Sequence, residues 1–394
     1  MNYVGTARPI HDAKGKATGY TKYAGDLSLP NMAYLCMLHS KIPHGYVKAV
    51  HAEKALALPG VYGVYHCLNT SDRKYNRYRS SFNQAYLANE ERAFNQYVRF
   101  VGDKIGVVAA CDQETAERAA RLVEVEYEEL PFSIGFDDTL AGKNCLEGET
   151  PVRDEYTLEV GKKQESTEGL IEVCSTMELP RLHHATMETH ACIADYDPYS
   201  DMLTVYCPNQ AVHGIRTVLA DFLEMPESHV RVVKATMGGS FGAKQEWFLE
   251  PVTALVAKKL CRPVKLVYSR GEAMTDTIVR GAMRMSARGY YTPDGEMKEI
   301  YCDVTLDAGA YIGNAGDYVR ALAGKPTRCY RIPYMHYHGQ VISSNSPVSG
   351  AFRSWSAAEE ALMMERQLDA AAEKLGMDRL AIRLKNVARS GEED

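Results

Sequence analysis

No two of the ten cysteines lie close enough to form a CxxC or CxH pair, which removes the zinc-ribbon spacings and the ligand run of an iron–sulfur cluster from consideration. The thiols read instead as reduced, half-buried small hydrophobes, and any iron–sulfur chemistry would have its ligands on another chain. Long apolar runs are missing too. No stretch reaches the roughly 18 residues of a membrane span, and the opening MNYVGTARPIHDAKGK has no apolar signal-type segment. A soluble, cytoplasmic protein without membrane association is expected. Blocks of like charge are also absent: the formal net charge is -6 and both signs are scattered along the chain, so neither a nucleic-acid stripe nor a polybasic lipid patch is indicated.

What the chain does have is length and apolar content. Its 394 residues are 45% hydrophobic, enough for two or three domains with cores of their own. The stretch VGDKIGVVAACDQETAERAARLVEVEYEELP reads as strand, helix, strand: Ile105 to Ala110 is apolar, Asp112 suits a helix cap, and VEVEYEE alternates with period two. Upstream, AVHAEKALALPGVYGVYHC reads as a short helix closed by Pro59 and Gly60 and followed by a strand. Residues 1–135 are therefore expected to form an α+β domain. Residues 136–165 are polar with little periodic signal and read as a linker.

Residues 166–394 resume the pattern. ACIADYDPYSDMLTVYCP reads as two strands about a turn, AVHGIRTVLADFLEMP as a helix, and HVRVVKAT as a strand. A helix from Gln245 to Leu260 interrupted at Pro251, long alternating strands from 283 to 306, and a helix from about 357 to 375 closed by Gly376 follow.

The strand HVRVVKAT runs into VKATMGGSFGAKQEWF, where Gly238, Gly239 and Gly242 surround Ser240 and Phe241. Glycines this dense let a backbone adopt positive φ or approach a neighbour closely. A strand, a glycine turn and a helix would also aim free N–H groups at an anion or oxo ligand. The P-loop is excluded because Ala243, Lys244 and Gln245 stand where Gly-Lys-Ser/Thr is needed, and Ser240 breaks the dinucleotide fingerprint. Taken alone, the cluster also fits a tight turn with Phe241 packed in the core. Two further features argue for more: Gln210 ends a strand in CPNQ, and SNSPVSGAFRSWSAAEE repeats the small-residue theme around Phe352, Arg353 and Trp355 before another helix.

TMGGSFGAKQE resembles the GGGFGGKE signature of the molybdopterin-binding large subunits of the xanthine dehydrogenase and aldehyde oxidase family. GKATGYTKYAGDLSLPNMAYLCMLHSKIPHGYVKAVHAEKALALPGVYGV is similar to the opening of that family's hammerhead domain. METHACIADYD, DAGAY, VRALAGKPTRCYRIP and SGAFRSWSAAEEALMMERQLDAAAEKLGMDRLAIRLKN follow the family in order and spacing. The resemblance covers essentially the whole chain, yet the family's large subunit is about twice as long. It therefore implies a split subunit, as in nicotinate dehydrogenase of anaerobic bacteria: a hammerhead domain and the first half of the molybdopterin-binding domain here, the second half on a partner chain.

By that resemblance Gln210 hydrogen-bonds an oxo ligand of molybdenum, and the backbone amides of Phe241 and Arg353 approach the metal's other ligands. Such bonds are worth roughly 1.5–3 kcal/mol each. Gly238, Gly239, Ser240 and Gly242 shape the cofactor loop. Arg320 matches a substrate-orienting arginine of the purine enzymes, Gln245 stands where they carry glutamate, and Trp355 where they carry phenylalanine, with Phe352 beside it. The neutral Gln245 removes a charge and speaks against xanthine itself. Ser240 and Ala243 depart from the signature's glycines but are small.

The activity implied is oxidative hydroxylation of a small N-heteroaromatic, purine- or nicotinate-like, with water as oxygen source. The base glutamate is expected on the partner chain, and Glu188 in METH reads as structural. Electrons would leave through a [2Fe-2S] subunit and an FAD subunit of a larger hetero-oligomer. The pterin's nucleotide form stays open, a cytosine dinucleotide included. So do aldehyde oxidation, reductive dehydroxylation of an aromatic, and a non-catalytic scaffold role.

Overall fold

The computed structural model describes residues 3–78, 89–146 and 148–391. Two sheets carry the α+β architecture. The larger has seven strands in the order Val230–Lys234, Met202–Cys207, Ala191–Asp197, Val264–Val267, Ala33–His39, Lys104–Ala110, Val61–His66. Strands from before residue 135 thus continue a sheet begun by strands after residue 190, joined where Ala33–His39 runs parallel to Val264–Val267. The smaller has five strands in the order Ile171–Leu179, Ala282–Tyr291, Met297–Asp307, Tyr334–Ile342, Val152–Gly161.

Local chemistry accounts for most of these elements. The strand Lys104–Ala110 is buried along its whole length, which matches its unbroken apolar run. Asp112 caps the helix Gln113–Ala120 by accepting the Thr115 N–H at 2.7 Å. The helix Val212–Phe222 buries Ile215, Leu219 and Phe222 on one stripe. The helix Ala357–Leu375 packs across Ile171–Leu179 and Ala282–Tyr291, and Gly376 ends it at φ 65.

Two expectations need correction. The helix expected from Gln245 begins at Leu249, so Pro251 does not interrupt it but sits in its first turn, where a proline's missing N–H removes no helical bond. The glycine cluster is consequently separated from that helix by an irregular turn and is not a helix N-terminus. The polar stretch read as a linker contains the helix Phe136–Leu140 and the ten-residue strand Val152–Gly161. Half-buried Tyr156, Leu158 and Val160 alternate there with exposed Glu155, Thr157 and Glu159, the period-two signature of an edge strand with one face to solvent. Among the described residues no helix is long and apolar enough to cross a membrane.

A buried ionic chain ties the N-terminal strands to the rest. Arg77 grips Glu91 through both carboxylate oxygens, and Lys104 lies 3.4 Å from Glu91 and 3.5 Å from Asp276. Asp276 also takes the Tyr268 hydroxyl and faces the His39 ring at 3.1 Å. All four charged side chains of the chain Arg77, Glu91, Lys104 and Asp276 are at most 3% exposed, so each depends on its neighbours to offset desolvation. Replacing Lys104 with Met leaves Glu91 and Asp276 sharing a buried site without the ammonium between them. This variant is expected to lose about 3–5 kcal/mol of stability in denaturant unfolding, and a loss below about 1 kcal/mol would contradict the role given to Lys104.

Candidate cofactor site

The site begins where two parallel strands end together. Met202–Cys207 and Val230–Lys234 pair with Cys207 opposite Lys234, and the Ala235 N–H still reaches the Cys207 carbonyl at 3.0 Å. Beyond that point one chain continues into Asn209 and Gln210 and the other into the glycine cluster. They stay tied. The Gln210 N–H donates to the Lys244 carbonyl at 2.8 Å, the Ser240 hydroxyl donates to Gln210 Oε1 at 2.6 Å, and Asn209 Nδ2 donates to the Glu246 carbonyl at 2.8 Å. Ser240, which replaces a glycine of the signature, therefore orients the Gln210 amide.

The loop needs its glycines. Gly239 and Gly242 lie at φ 107 and 105, a region side chains rarely adopt. A Cβ on Gly242 would come within 2.4 Å of the Ala351 carbonyl oxygen, and one on Gly238 within 2.6 Å of Glu188 Cβ. Phe241 itself stands at φ 53 with its ring half exposed. The second loop docks at this point. The Arg353 N–H donates to the Phe241 carbonyl at 2.7 Å, and Ser354, Trp355 and Ser356 run through positive φ in succession, a strained run of the kind that persists only where the surroundings dictate it.

Beneath both loops passes the segment from His183 to His190. The buried His190 ring faces the Ala243 carbonyl at 3.0 Å and the buried His184 ring faces the Ala351 carbonyl at 2.8 Å, each through Nε2. Burial pushes both imidazoles down to about 4, so both are neutral Nε2–H donors at pH 7. Glu188 accepts from the Gly238 N–H at 2.7 Å and from Lys244 Nζ at 2.6 Å. The expectation that Glu188 is structural fits these bonds. Burial holds Glu246 up at about 8 while its Oε1 takes the Asn314 amide at 2.9 Å. His184, His190 and Glu246 were not singled out by sequence reasoning. Their partners are carbonyls and amides brought in by the fold, and no local spacing encodes them.

Not every expected residue converges. Gln210, Gly238, Gly239, Ser240, Phe241, Gly242 and Arg353 come together, with half-buried Gln245 at the loop's far end. Arg320 does not offer a free guanidinium. It forks onto Asp154, Nη1 to Oδ2 at 2.5 Å and Nη2 to Oδ1 at 2.9 Å, so its charge is met by a strand of the five-stranded sheet. Trp355 packs against both hydrophobic cores and its ring lies 5.1 Å from that of Tyr318. The Phe352 ring is occupied as well, stacked on His184 with centroids 4.3 Å apart and with the Arg280 guanidinium carbon 4.3 Å from its centre.

What remains suits a group that presents acceptors. Among the described residues the Phe241 N–H and the Gln210 amide nitrogen have no protein acceptor, and Gln210 is exposed. No three His, Cys, Asp or Glu side chains converge as a metal site among those residues. The donor set thus fits a metal carried by its own organic ligand. The Arg353 amide does not fit the part the resemblance assigns it, because Phe241 already takes its hydrogen.

The neutral histidines set a pH dependence. Because their folded-state values lie below the ordinary 6.5, the unfolded chain binds more protons between about pH 6.5 and 4, and stability is lost as pH falls through that window. Each histidine accounts for up to about 3 kcal/mol of that loss. Denaturant unfolding of His190→Gln is expected to show a shallower decline from pH 7 to pH 4.5 than the parent chain; parallel declines would contradict the assignment.

Comparison with known proteins agrees with this geometry. Residues 149–387 match the molybdopterin cofactor-binding domain, and residues 18–131 match the aldehyde oxidase and xanthine dehydrogenase a/b hammerhead domain. The chain is 30% identical to the nicotinate dehydrogenase large molybdopterin subunit of Eubacterium barkeri, covering 96% of this chain and 88% of that one. It is also 30% identical to the xanthine dehydrogenase molybdenum-binding subunit of Escherichia coli O157:H7, covering 97% of this chain but 51% of that one. The chain therefore spans about half the length of several curated relatives it matches. The aldehyde oxidoreductase of Desulfovibrio gigas superposes with a TM-score of 0.91 at 25% identity over 98% of this chain and 43% of that one. The quinoline 2-oxidoreductase of Pseudomonas putida 86 shares the fold, with a TM-score of 0.90 at 24% identity over 98% of this chain and 50% of that one. A donor-lined pair of loops, a hammerhead match and a molybdopterin-domain match along one chain make it a member of the xanthine dehydrogenase and aldehyde oxidase family of molybdopterin-dependent oxidoreductase subunits.

Proposed function

We propose that this chain is the cofactor-holding part of a multi-subunit hydroxylase acting on a small N-heteroaromatic of purine or nicotinate type. The observation that carries the reading is the Ser240–Gln210 hydrogen bond. By fixing Gln210 Oε1 it leaves the exposed amide nitrogen as a donor, tied through Ser240 to the loop whose next residue is Phe241 and whose glycines let the backbone itself face a ligand. When bound, a pterin-borne molybdenum supplies two-electron oxidation with water as the oxygen source.

The chain's own share is binding and orientation. Gln210 and the Phe241 N–H hold acceptor atoms of the cofactor in place before reaction, so the protein dipoles need no rearrangement as charge develops. Glu188 is committed to Gly238 and Lys244 and moves no proton. The reading therefore assigns the base to a companion chain corresponding to the second half of the longer relatives, with [2Fe-2S] and FAD subunits completing a cytoplasmic assembly. On the substrate side, half-buried Gln245, whose backbone N–H is taken by the Gly242 carbonyl, offers a neutral side-chain donor and acceptor to a ring nitrogen or carbonyl. Arg320, Phe352 and Trp355 retain substrate roles only if their present partners release them.

The test is metal analysis and turnover of the chain with its co-purifying subunits from a molybdenum-replete host, with nicotinate and hypoxanthine as probes in heavy-oxygen water. About one molybdenum per chain and label in the hydroxylated product are expected. Gln210→Ala is expected to lower turnover by about 10- to 100-fold, the loss of one hydrogen bond to a charged group. A complex without molybdenum, or turnover indifferent to Gln210, would overturn the reading.

A further inference from the structure

Both loops of the site rest on one stretch of chain. It is anchored at one end where Leu182 and Arg280 exchange backbone hydrogen bonds at 3.2 and 2.9 Å, and at the other where Ala191 enters the seven-stranded sheet. Between these anchors His190 reaches Ala243, two residues after Phe241, and His184 reaches Ala351, two residues before Arg353. The two imidazoles therefore bracket the backbone bond that joins the loops, Arg353 N–H to Phe241 carbonyl. The remaining ring nitrogen of His190, Nδ1, is buried without a partner, while the His184 ring also has the Ile278 backbone within reach. A residue kept only to fill space would leave no such polar atom stranded in the core. The neighbouring His183, by contrast, uses both ring nitrogens, on the Ala273 carbonyl and Thr277 hydroxyl at one side and the Ala185 N–H at the other.

We propose that His184 and His190 are positioning residues, whose Nε2–H donors hold the two loops in the register that commits the Arg353 N–H to Phe241 and leaves the Phe241 N–H for the cofactor. As far as the cofactor is concerned, this rests on the function proposed above. The loop register itself does not.

Phe in place of either histidine fills the volume and removes the donor. Gln keeps an amide nitrogen near the place of Nε2. The four variants are to be prepared as the full chain with its co-purifying subunits, and read by amide hydrogen exchange at Arg353 and by the electron paramagnetic resonance signal of molybdenum half-reduced with dithionite. His184→Phe and His190→Phe are expected to keep their helix and strand content while the Arg353 amide exchanges about tenfold faster or more and the resonance shifts. The Gln variants are expected to restore both. Unchanged Arg353 protection in the Phe variants overturns the proposal, as does failure of Gln to restore it. Where a Phe variant does not fold, native-like Arg353 protection in its Gln counterpart supports the assignment and lost protection overturns it. A parent complex holding no molybdenum defeats the proposed function instead, and hydrogen exchange alone then decides the loop register.

Discussion

The arrangement depends on one close contact between two pieces of backbone. Gly242 lies so near Ala351 that no side chain fits between them, and the Arg353 N–H closes the contact on the Phe241 carbonyl. Because the hydrogen of Arg353 is spent there, the pair presents the amide of Phe241 rather than two amides. The positive φ of Phe241 and of the run Ser354 to Ser356 is the conformational cost of bringing the loops together, of order 1–3 kcal/mol per residue. That cost is sustained by what lies beneath: neutral imidazoles on two carbonyls and the Glu188–Lys244 pair under Gly238.

The same logic extends outward. The loops can be strained because the strands that deliver them are not. Met202–Cys207 and Val230–Lys234, which lead to Gln210 and the glycine loop, belong to a seven-stranded sheet continued by strands from the beginning of the chain. The second loop follows Tyr334–Ile342 of the five-stranded sheet, and the buried chain from Arg77 to Asp276 ties the early strands to the seven-stranded sheet's later part. A buried ionic chain is weak evidence for stability but makes any displacement of one member expensive. Glu246, kept neutral by burial beside Arg77 and joined to Asn314, lies next to the glycine loop in sequence. The Trp247 ring N–H after it donates to the Asn76 carbonyl at 2.7 Å, so the early part of the chain packs against the end of that loop.

Much of this was legible in the sequence, for physical reasons that differ by element. The strand Lys104–Ala110 and the helix Ala357–Leu375 were readable because burial on both faces, or on one helical stripe, leaves a strong local pattern. The glycine loop was readable because positive φ at a close approach demands glycine. The strand Val152–Gly161 reads as a linker because its polar alternation carries little apolar signal, although Tyr156, Leu158 and Val160 keep period two. The pairing of Arg320 leaves no local trace for a different reason: its partner Asp154 lies 166 positions away, and nothing near either residue announces the pair. Trp355 likewise lies on the second loop and packs against both cores. His184 and His190 stayed hidden because a histidine that donates to a backbone carbonyl has no sequence partner to pair with.

In the reading proposed, the cofactor is gripped at the Phe241–Arg353 contact with Gln210 beside it. Anomalous diffraction at the molybdenum edge from crystals of the complex purified with this chain tests it directly. A peak is expected at the exposed side of that contact, with density for an organic ligand touching the Gln210 amide. A molybdenum peak elsewhere on the assembly, or this face covered by ordinary side chains of another subunit, would contradict it.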